Sequence, residues 1–362
     1  MNTLSQKFTY ESIFFYSQKY NIPPVDVLLI ALNRFGIAGN FEDKRIRFRL
    51  QPLLFDEIYY MAVCVNTYDS PFFIGKENKL FLSENEVGRV IDIEKDTCDT
   101  TYYRRNKTEL TLNSNMRSQC HGCTFCGTYN LQPDDKIDMS TEKRIENFIK
   151  GYLKRNNVYN LSDLVRITIC TGCFQNEMDL VNHIILVYNV FKKFGFTKRI
   201  RYIGSQICSE EAMSMLENNI PYFSISLTVE CFSKREQRMR KEKASLDLQM
   251  IRDILMRAKK HNFSTNFLYI VGLDDLQDMK EGIEFLKNSI NRFPVVQIMQ
   301  NYEANHEKQR VEAARNMDFY FQARELLESI FKDTDLRPRS WENYRGLFYT
   351  EYQHKEYTCI RI

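Results

Sequence analysis

From about residue 108 onward, short runs of β-branched and apolar residues alternate with longer amphipathic stretches, and this rhythm constrains the fold more than any other feature of the chain. Residues 109–113, 164–170, 199–203, 223–229, 265–271 and 295–300 read as buried parallel strands. The stretches 141–154, 178–194, 210–218, 246–261, 276–291 and 313–331 read as the helices between and after them. In the helix that starts at Leu246, Ser245 is a candidate N-cap and Leu248, Ile251, Ile254, Leu255 and Ala258 share an apolar face. Six strand–helix units in succession, with right-handed crossovers, predict an α/β fold: a partial parallel (β/α)6 barrel over residues 108–332. Ligands of such folds bind at the C-terminal ends of the strands.

The flanks have a different texture. Residues 1–107 read as an N-terminal α+β extension, with helices at 8–20 and 25–35, the second stopped by Gly36. Strand-like pieces follow at 45–50, 60–65, 79–82 and 89–93, split by turn-forming clusters. Residues 333–362 read as a C-terminal aromatic cap holding the one tryptophan, Trp341. Aromatic and arginine side chains together can stack on bases or plug an open barrel. The plug is the expectation here, with Arg339 or Tyr344 reaching a substrate pocket.

Composition narrows the function. Hydrophobic residues at 43% and charged residues at 27% exclude a disordered chain. Fifty Lys+Arg against 47 Asp+Glu leave +3, too balanced for a protein that coats phosphate backbones, which argues against a nucleic-acid partner. The longest apolar stretch, around Val25 to Leu32, is far short of a membrane span, and residues 1–30 lack a signal-peptide layout. The expectation is a cytoplasmic protein with no membrane partner. In that reducing compartment, ten cysteines are not a disulfide framework.

Five of the ten cysteines lie between 120 and 173, and three of these form Cys120-His121-Gly122-Cys123-Thr124-Phe125-Cys126 just after the first expected barrel strand. Three thiolates on one loop can converge on an inorganic cluster, and soft sulfur selects iron–sulfur, zinc or Cu(I). With three protein ligands one metal corner stays open, and an open corner is where a substrate can bind. A structural zinc site is the competing reading, but it wants a fourth ligand that His121 is too near to supply.

Here the chain resembles the radical S-adenosylmethionine (radical SAM) superfamily, whose hallmark is three cysteines on the loop after the first strand of a partial (β/α)6 barrel. Cys123-Thr124-Phe125-Cys126 is similar to the second half of that motif, aromatic residue included. The first half is shorter than the commonest spacing by one residue. The resemblance covers roughly residues 108–332 by element order. Residues 171–177 are similar to the family's Gly-rich segment and imply that Gly172 and Glu177 hold the amino group of SAM. Residues 226–235 resemble the ribose- and carboxylate-contacting region, which implies Ser226, Glu230 and Arg235. Residues 269–273 resemble the segment near adenine, which implies Gly272 and Leu273, and Phe125 is implied beside the cofactor.

The resemblance thus implies a [4Fe-4S] cluster on Cys120, Cys123 and Cys126, with S-adenosyl-L-methionine on the open iron. Reductive cleavage of SAM would give a 5'-deoxyadenosyl radical that abstracts a hydrogen from a small metabolite or natural-product intermediate. The electron would come from an external donor such as flavodoxin or ferredoxin. The alternatives are a radical SAM enzyme acting on RNA or a peptide, and a non-catalytic zinc-binding protein.

Other features have two readings each. Cys170 and Cys173 form a second C-x-x-C, either ligands of an auxiliary metal or, as an incomplete set, a core residue and a filler of the Gly-rich segment. Cys64, Cys98, Cys208 and Cys231 read as packing residues, and Cys359 as inert. His121 and His306 read as hydrogen-bonded loop residues before catalysts. Gln297, Gln300, Asn301, Tyr302 and Glu303 line either the substrate side or a solvated loop. The six Lys/Arg among residues 234–243 read as a solvated helix start before a phosphate- or RNA-binding surface.

Overall fold

In the computed structural model, which describes residues 8–66, 70–95, 100–101, 107–114, 123–126, 138–339, 342 and 345–349, the chain begins with two helices, α1 (Tyr10–Tyr20) and α2 (Pro24–Phe35). Pro24 opens α2 with a preset φ, and Gly36 closes it at φ 71, its N–H reaching Leu32 O at 2.8 Å. A Cβ on Gly36 would come within 2.5 Å of the Cys64 carbonyl oxygen, so only glycine fits. Strands β1 (Arg45–Pro52), β2 (Tyr59–Cys64), β3 (Phe72–Ile74), β4 (Lys79–Leu82) and β5 (Asn85–Lys95) follow as an antiparallel sheet in the order β2-β1-β5-β4-β3.

The periodic part then forms β6 (Thr100–Thr101), β7 (Glu109–Leu112), α3 (Glu142–Asn156), β8 (Arg166–Ile169), α4 (Glu177–Lys193), β9 (Arg199–Gly204), α5 (Glu210–Asn219) and β10 (Phe223–Glu230). It continues through the short turns α6 (Arg235–Arg238) and α7 (Lys241–Ala244), then α8 (Leu248–Lys260), β11 (Ser264–Val271), α9 (Leu276–Leu286), β12 (Val295–Ile298) and α10 (Asp318–Phe331). Strands β7 to β12 are parallel and lie side by side in chain order, curled as a half-barrel, with β6 antiparallel outside β7. Neighbours in sequence are neighbours in the sheet because each crossover helix returns the chain by one strand.

Two boundaries differ from the sequence reading. Helix α8 starts at Leu248 and is capped by Asp247, whose carboxylate accepts from Met250 N at 2.7 Å. Ser245, the expected cap, instead closes α7 by donating to Glu242 O at 3.0 Å. The helix expected over 313–331 breaks into a 3-10 turn, Glu312–Arg315, and α10. Strands β3 and β6 were not anticipated, being three and two residues long.

One apolar core runs without interruption from Phe8 to Tyr349, so the antiparallel unit and the half-barrel are packed as one body. The concave face is different: its lower part carries buried charges. Arg166 pairs with Glu109 and with Glu342, both at 2.5 Å, and Arg292 also pairs with Glu342. Burial opposes the Glu342 carboxylate, but the guanidinium groups of Arg292 and Arg166 hold its pKa far below the usual range. The C-terminal segment thus closes the floor through Glu342, and it covers the β12 edge through Ile298 N–H bonding Arg345 O at 2.6 Å. Trp341 and Tyr344 lie outside the described residues. No helix among those described is long and apolar enough to cross a membrane.

Helix α10 is tied to α2 by a buried pair, Arg324 to Asp26 at 2.5 Å, and the same guanidinium donates to Leu347 O at 2.6 Å. Replacing Asp26 by Ala removes the nearer of two buried carboxylates on Arg324, leaving Glu328 at 3.4 Å. The expected result is a loss of roughly 3–5 kcal/mol in unfolding free energy, read by urea denaturation, with the double variant Asp26→Leu/Arg324→Met recovering most of it.

Candidate functional site

The segments leaving the C-terminal ends of the parallel strands build the site. After β7, Ser114 is fully buried; its hydroxyl shares a 2.7 Å hydrogen bond with His183 Nε2, and its carbonyl accepts from Met139 N at 3.2 Å. These contacts close the base of the loop that carries the cysteine motif. Cys120 and His121 lie outside the described residues. Residues 123–126 form a turn, Cys126 N to Cys123 O at 3.1 Å, and both thiols are half-buried.

That turn does not stay beside β7. Thr124 N donates to Arg238 O at 2.9 Å, and Phe125 packs with Cys231, Met239, Leu273 and Met299. Those partners follow β10, β11 and β12, at the other side of the sheet. The 123–126 turn therefore rests on the segments that follow β10, β11 and β12.

Its landing place is the segment after β10. There Cys231 N bonds Val229 O at 2.9 Å in a tight turn centred on Glu230, which is held at φ 68. The register with β11 slips between Thr228 and Glu230, so this is a bulge that re-aims the Glu230 side chain. A non-glycine residue at such φ stores strain of about 1 kcal/mol or more, a feature that gathers at functional sites. Glu230 Oε1 meets Lys243 Nζ at 2.5 Å, both side chains largely buried. Burial opposes the lysine charge, but Glu230 and the Cys123 sulfur outweigh it and raise its pKa, so the ammonium persists.

Arg235 donates to four carbonyls: Val229 at 2.8 Å, Cys231 at 2.6 Å, Lys243 at 3.1 Å and Leu246 at 3.1 Å. It pins the whole turn-and-helix segment. Asp274, fully buried after β11, holds the other side, accepting from Phe232 N at 2.8 Å, Ser233 N at 3.0 Å, Ser233 Oγ at 2.7 Å and Arg238 at 3.4 Å. Gly272 precedes it at φ 109, where a Cβ would come within 3.1 Å of the Arg310 guanidinium, and Leu273 is fully buried.

After β8, Gly172 is buried and Thr171 Oγ1 is buried with no hydrogen-bond partner among the described residues. Glu177 lies at the start of α4, and its carboxylate accepts from Cys208 N and, at 2.8 Å, from Ser209 N, closing the N-terminus of α5. Ser226 lies deeper on the concave face, accepting from Arg201 Nε at 2.8 Å and donating to Asn266 Oδ1 at 2.6 Å. The structure thus gathers Cys123, Phe125, Cys126, Glu230 and Leu273, with Gly272 beside Leu273. Glu177 and Ser226 are engaged in the scaffold around them.

The secondary readings resolve unevenly. Strand β8 ends at Ile169, so Cys170 is an exposed loop residue and not part of the core. No group of three or more His, Cys, Asp or Glu among the described residues is arranged to hold a metal ion. Cys64 and Cys231 are fully buried, and burial pushes the Cys231 thiol up to about 12. Cys98 and Cys359 lie outside the described residues. His306 accepts from Tyr302 N at 3.1 Å, as a loop anchor.

The basic stretch is solvated only in part: Lys234 and Lys241 are exposed, whereas Arg238 and Lys243 are buried, drawn inward by Asp274 and Glu230. The polar run at 297–303 is solvated only at its end, where Glu303 is exposed. Gln297 accepts from Arg345 at 2.5 Å, Gln300 donates to Asn33 Oδ1 at 2.8 Å and Ala62 O at 2.7 Å, Tyr302 accepts from Arg45 at 3.2 Å, and Glu303 pairs with Lys44. Most of it is the seam with the N-terminal unit.

Asp274, Lys243 and the Ser114–His183 pair were not singled out from the sequence. For Asp274 a signal existed: Asp275 caps α9, accepting from Asp278 N at 2.9 Å, which leaves the preceding carboxylate unexplained just past a strand end.

Two measurements probe the frame. Asp274→Ala leaves buried donors unmet, and thermal or urea unfolding should show a loss of at least about 2 kcal/mol. Burial lowers the His183 pKa to about 4, below its unfolded value, so its neutral form stabilises the fold fully above pH 6.5. That contribution is lost as pH falls from 6.5 to about 4, by up to roughly 3 kcal/mol. In His183→Phe, the difference in unfolding free energy between pH 7 and pH 4 should shrink by that amount.

The chain matches no protein-family model and none of the curated protein sequences against which it was compared.

Proposed function

We propose that the chain is a radical SAM enzyme on a partial (β/α)6 barrel, with Cys120, Cys123 and Cys126 holding a [4Fe-4S] cluster and a small metabolite as substrate. The observation that carries this reading is the seat of the 123–126 turn. The turn follows β7 in the chain yet rests on segments that follow β10, β11 and β12, and ligands of parallel α/β folds bind at such strand ends.

The donor set suits the cluster. Two half-buried sulfurs sit on one turn, with a lysine ammonium near them and an apolar backing of Phe125, Met239, Leu273 and Met299. When bound, the cluster and SAM supply one-electron cleavage of a sulfonium C–S bond and hence a carbon radical able to take hydrogen from the substrate. The protein's part is holding and exclusion. The apolar backing keeps water from one side of the thiols. Thr171 Oγ1 and the adjoining Gly172 offer a polar, close-approach edge for the ligand. Glu230 offers a carboxylate from a strained turn, and Gly272 leads into Leu273 of the apolar backing. Arg235, Glu177 and Ser226 act through others, fixing the segments that bear those groups. A low-potential flavodoxin or ferredoxin supplies the electron.

Anaerobic reconstitution tests the proposal. The expected product is brown, absorbs near ~400 nm, and holds iron and sulfide at about four each per chain. With SAM and dithionite it should release 5'-deoxyadenosine, and Cys120→Ala, Cys123→Ala or Cys126→Ala should abolish that release. A colourless protein with one bound zinc defeats the reading.

A further inference from the structure

Lys243 belongs to none of the roles above, yet its surroundings are unusually specific. Its ammonium lies 2.5 Å from Glu230 Oε1, and its side chain is about 10% exposed. Its carbonyl is fixed by Arg235 at 3.1 Å. Ala244, the next residue, packs against the apolar cluster that holds Cys123, Phe125 and Cys126. Five residues before Lys243, the carbonyl of Arg238 accepts from Thr124 N at 2.9 Å, and the Arg240 backbone lies near enough to Cys123 to lower its pKa. The stretch 238–244 therefore cradles the cysteine turn along its length.

We propose that Lys243, held by Glu230 and Arg235, is a charge-setting residue that raises the reduction potential of the group bound by Cys123 and Cys126. The proposal rests on the iron–sulfur reading of that site. The physical reason is simple. Reducing a thiolate-held cluster adds one negative charge, taken from an external low-potential donor, with no bond made or broken at the lysine. A fixed cation in a low-dielectric setting stabilises the reduced form, and an N–H donor to a ligating sulfur acts in the same direction. Glu230, the other member of the pair, carries the opposite charge and opposes this, so the two charges can be removed separately.

A purely structural salt bridge would not give the following pattern. Midpoint potentials of the reconstituted cluster, without SAM, are measured by EPR-monitored redox titration. Lys243→Met should become harder to reduce, enough to change the reduced-to-oxidised ratio at a fixed potential about tenfold, or 59 mV for one electron. Glu230→Gln should shift the midpoint the opposite way. The double variant should return near the wild-type value, and Lys243→Arg, which keeps the charge, should stay there. If Lys243→Met assembles no cluster, Glu230→Gln decides alone: an upward shift supports the assignment and an unmoved midpoint overturns it. A wild-type cluster whose midpoint ignores all four changes removes the role of Lys243 and leaves the enzyme reading standing. A wild-type protein that binds no iron removes both.

Discussion

The seat of the cysteine turn depends on the rigidity of what receives it. Residues 123–126 follow β7 in the chain, and holding them against the segments after β10–β12 costs conformational entropy. What offsets that cost is a landing segment already held in one geometry. Asp274 accepts four hydrogen bonds on one side and Arg235 donates four on the other, all from inside the fold. With Asp274 buried, Arg235 half-buried and the contacts of both directed, the segment after β10 has few alternatives, and Arg238 O and the apolar patch around Cys231 stand where Thr124 and Phe125 can use them.

Burial raises the pKa of Cys123, of Cys208 and of Cys231, and it raises Cys64 to about 11. Cations oppose that rise in each case: Lys243 at Cys123, Arg257 at Cys208, Arg310 and Arg34 at Cys64, and Arg238 and Arg235 at Cys231. What sets Cys123 apart is that its turn also carries Cys126, so two half-buried thiols lie three residues apart.

The N-terminal unit bears on the site indirectly. It meets the region after β12 through Asn33, Arg34, Lys44 and Arg45, and Arg34 pairs with Glu307 at 2.9 Å while Glu307 pairs with Arg310 at 3.1 Å. Arg310 in turn donates to Met299 O at 3.0 Å, and Met299 is part of the patch under Phe125. A short chain of buried polar contacts thus joins the antiparallel unit to the floor of the cysteine turn.

The order of strands and helices after residue 108 was legible in the sequence because hydrophobic periodicity is a local quantity. A buried parallel strand needs a short run of apolar residues, and a crossover helix needs an apolar stripe, wherever the rest of the chain lies. The motif at 120–126 was legible for the same reason, since its chemistry resides in residue type and spacing. Ser245 misled because α7 needed it at its own end, and Gln300 misled because its partners, Asn33 and Ala62, come from the distant start of the chain. The sequence by itself determined the parallel strand–helix alternation and the thiol-rich loop at its first strand end. Only the tertiary structure decided that residues 123–126 rest on the segments after β10–β12, that Glu230 is turned by a bulge toward Lys243, and that Asp274 and Arg235 hold the landing segment. Those are pairings between residues far apart in the chain, chosen by which buried charges can find partners once the sheet has curled, and no local pattern encodes them.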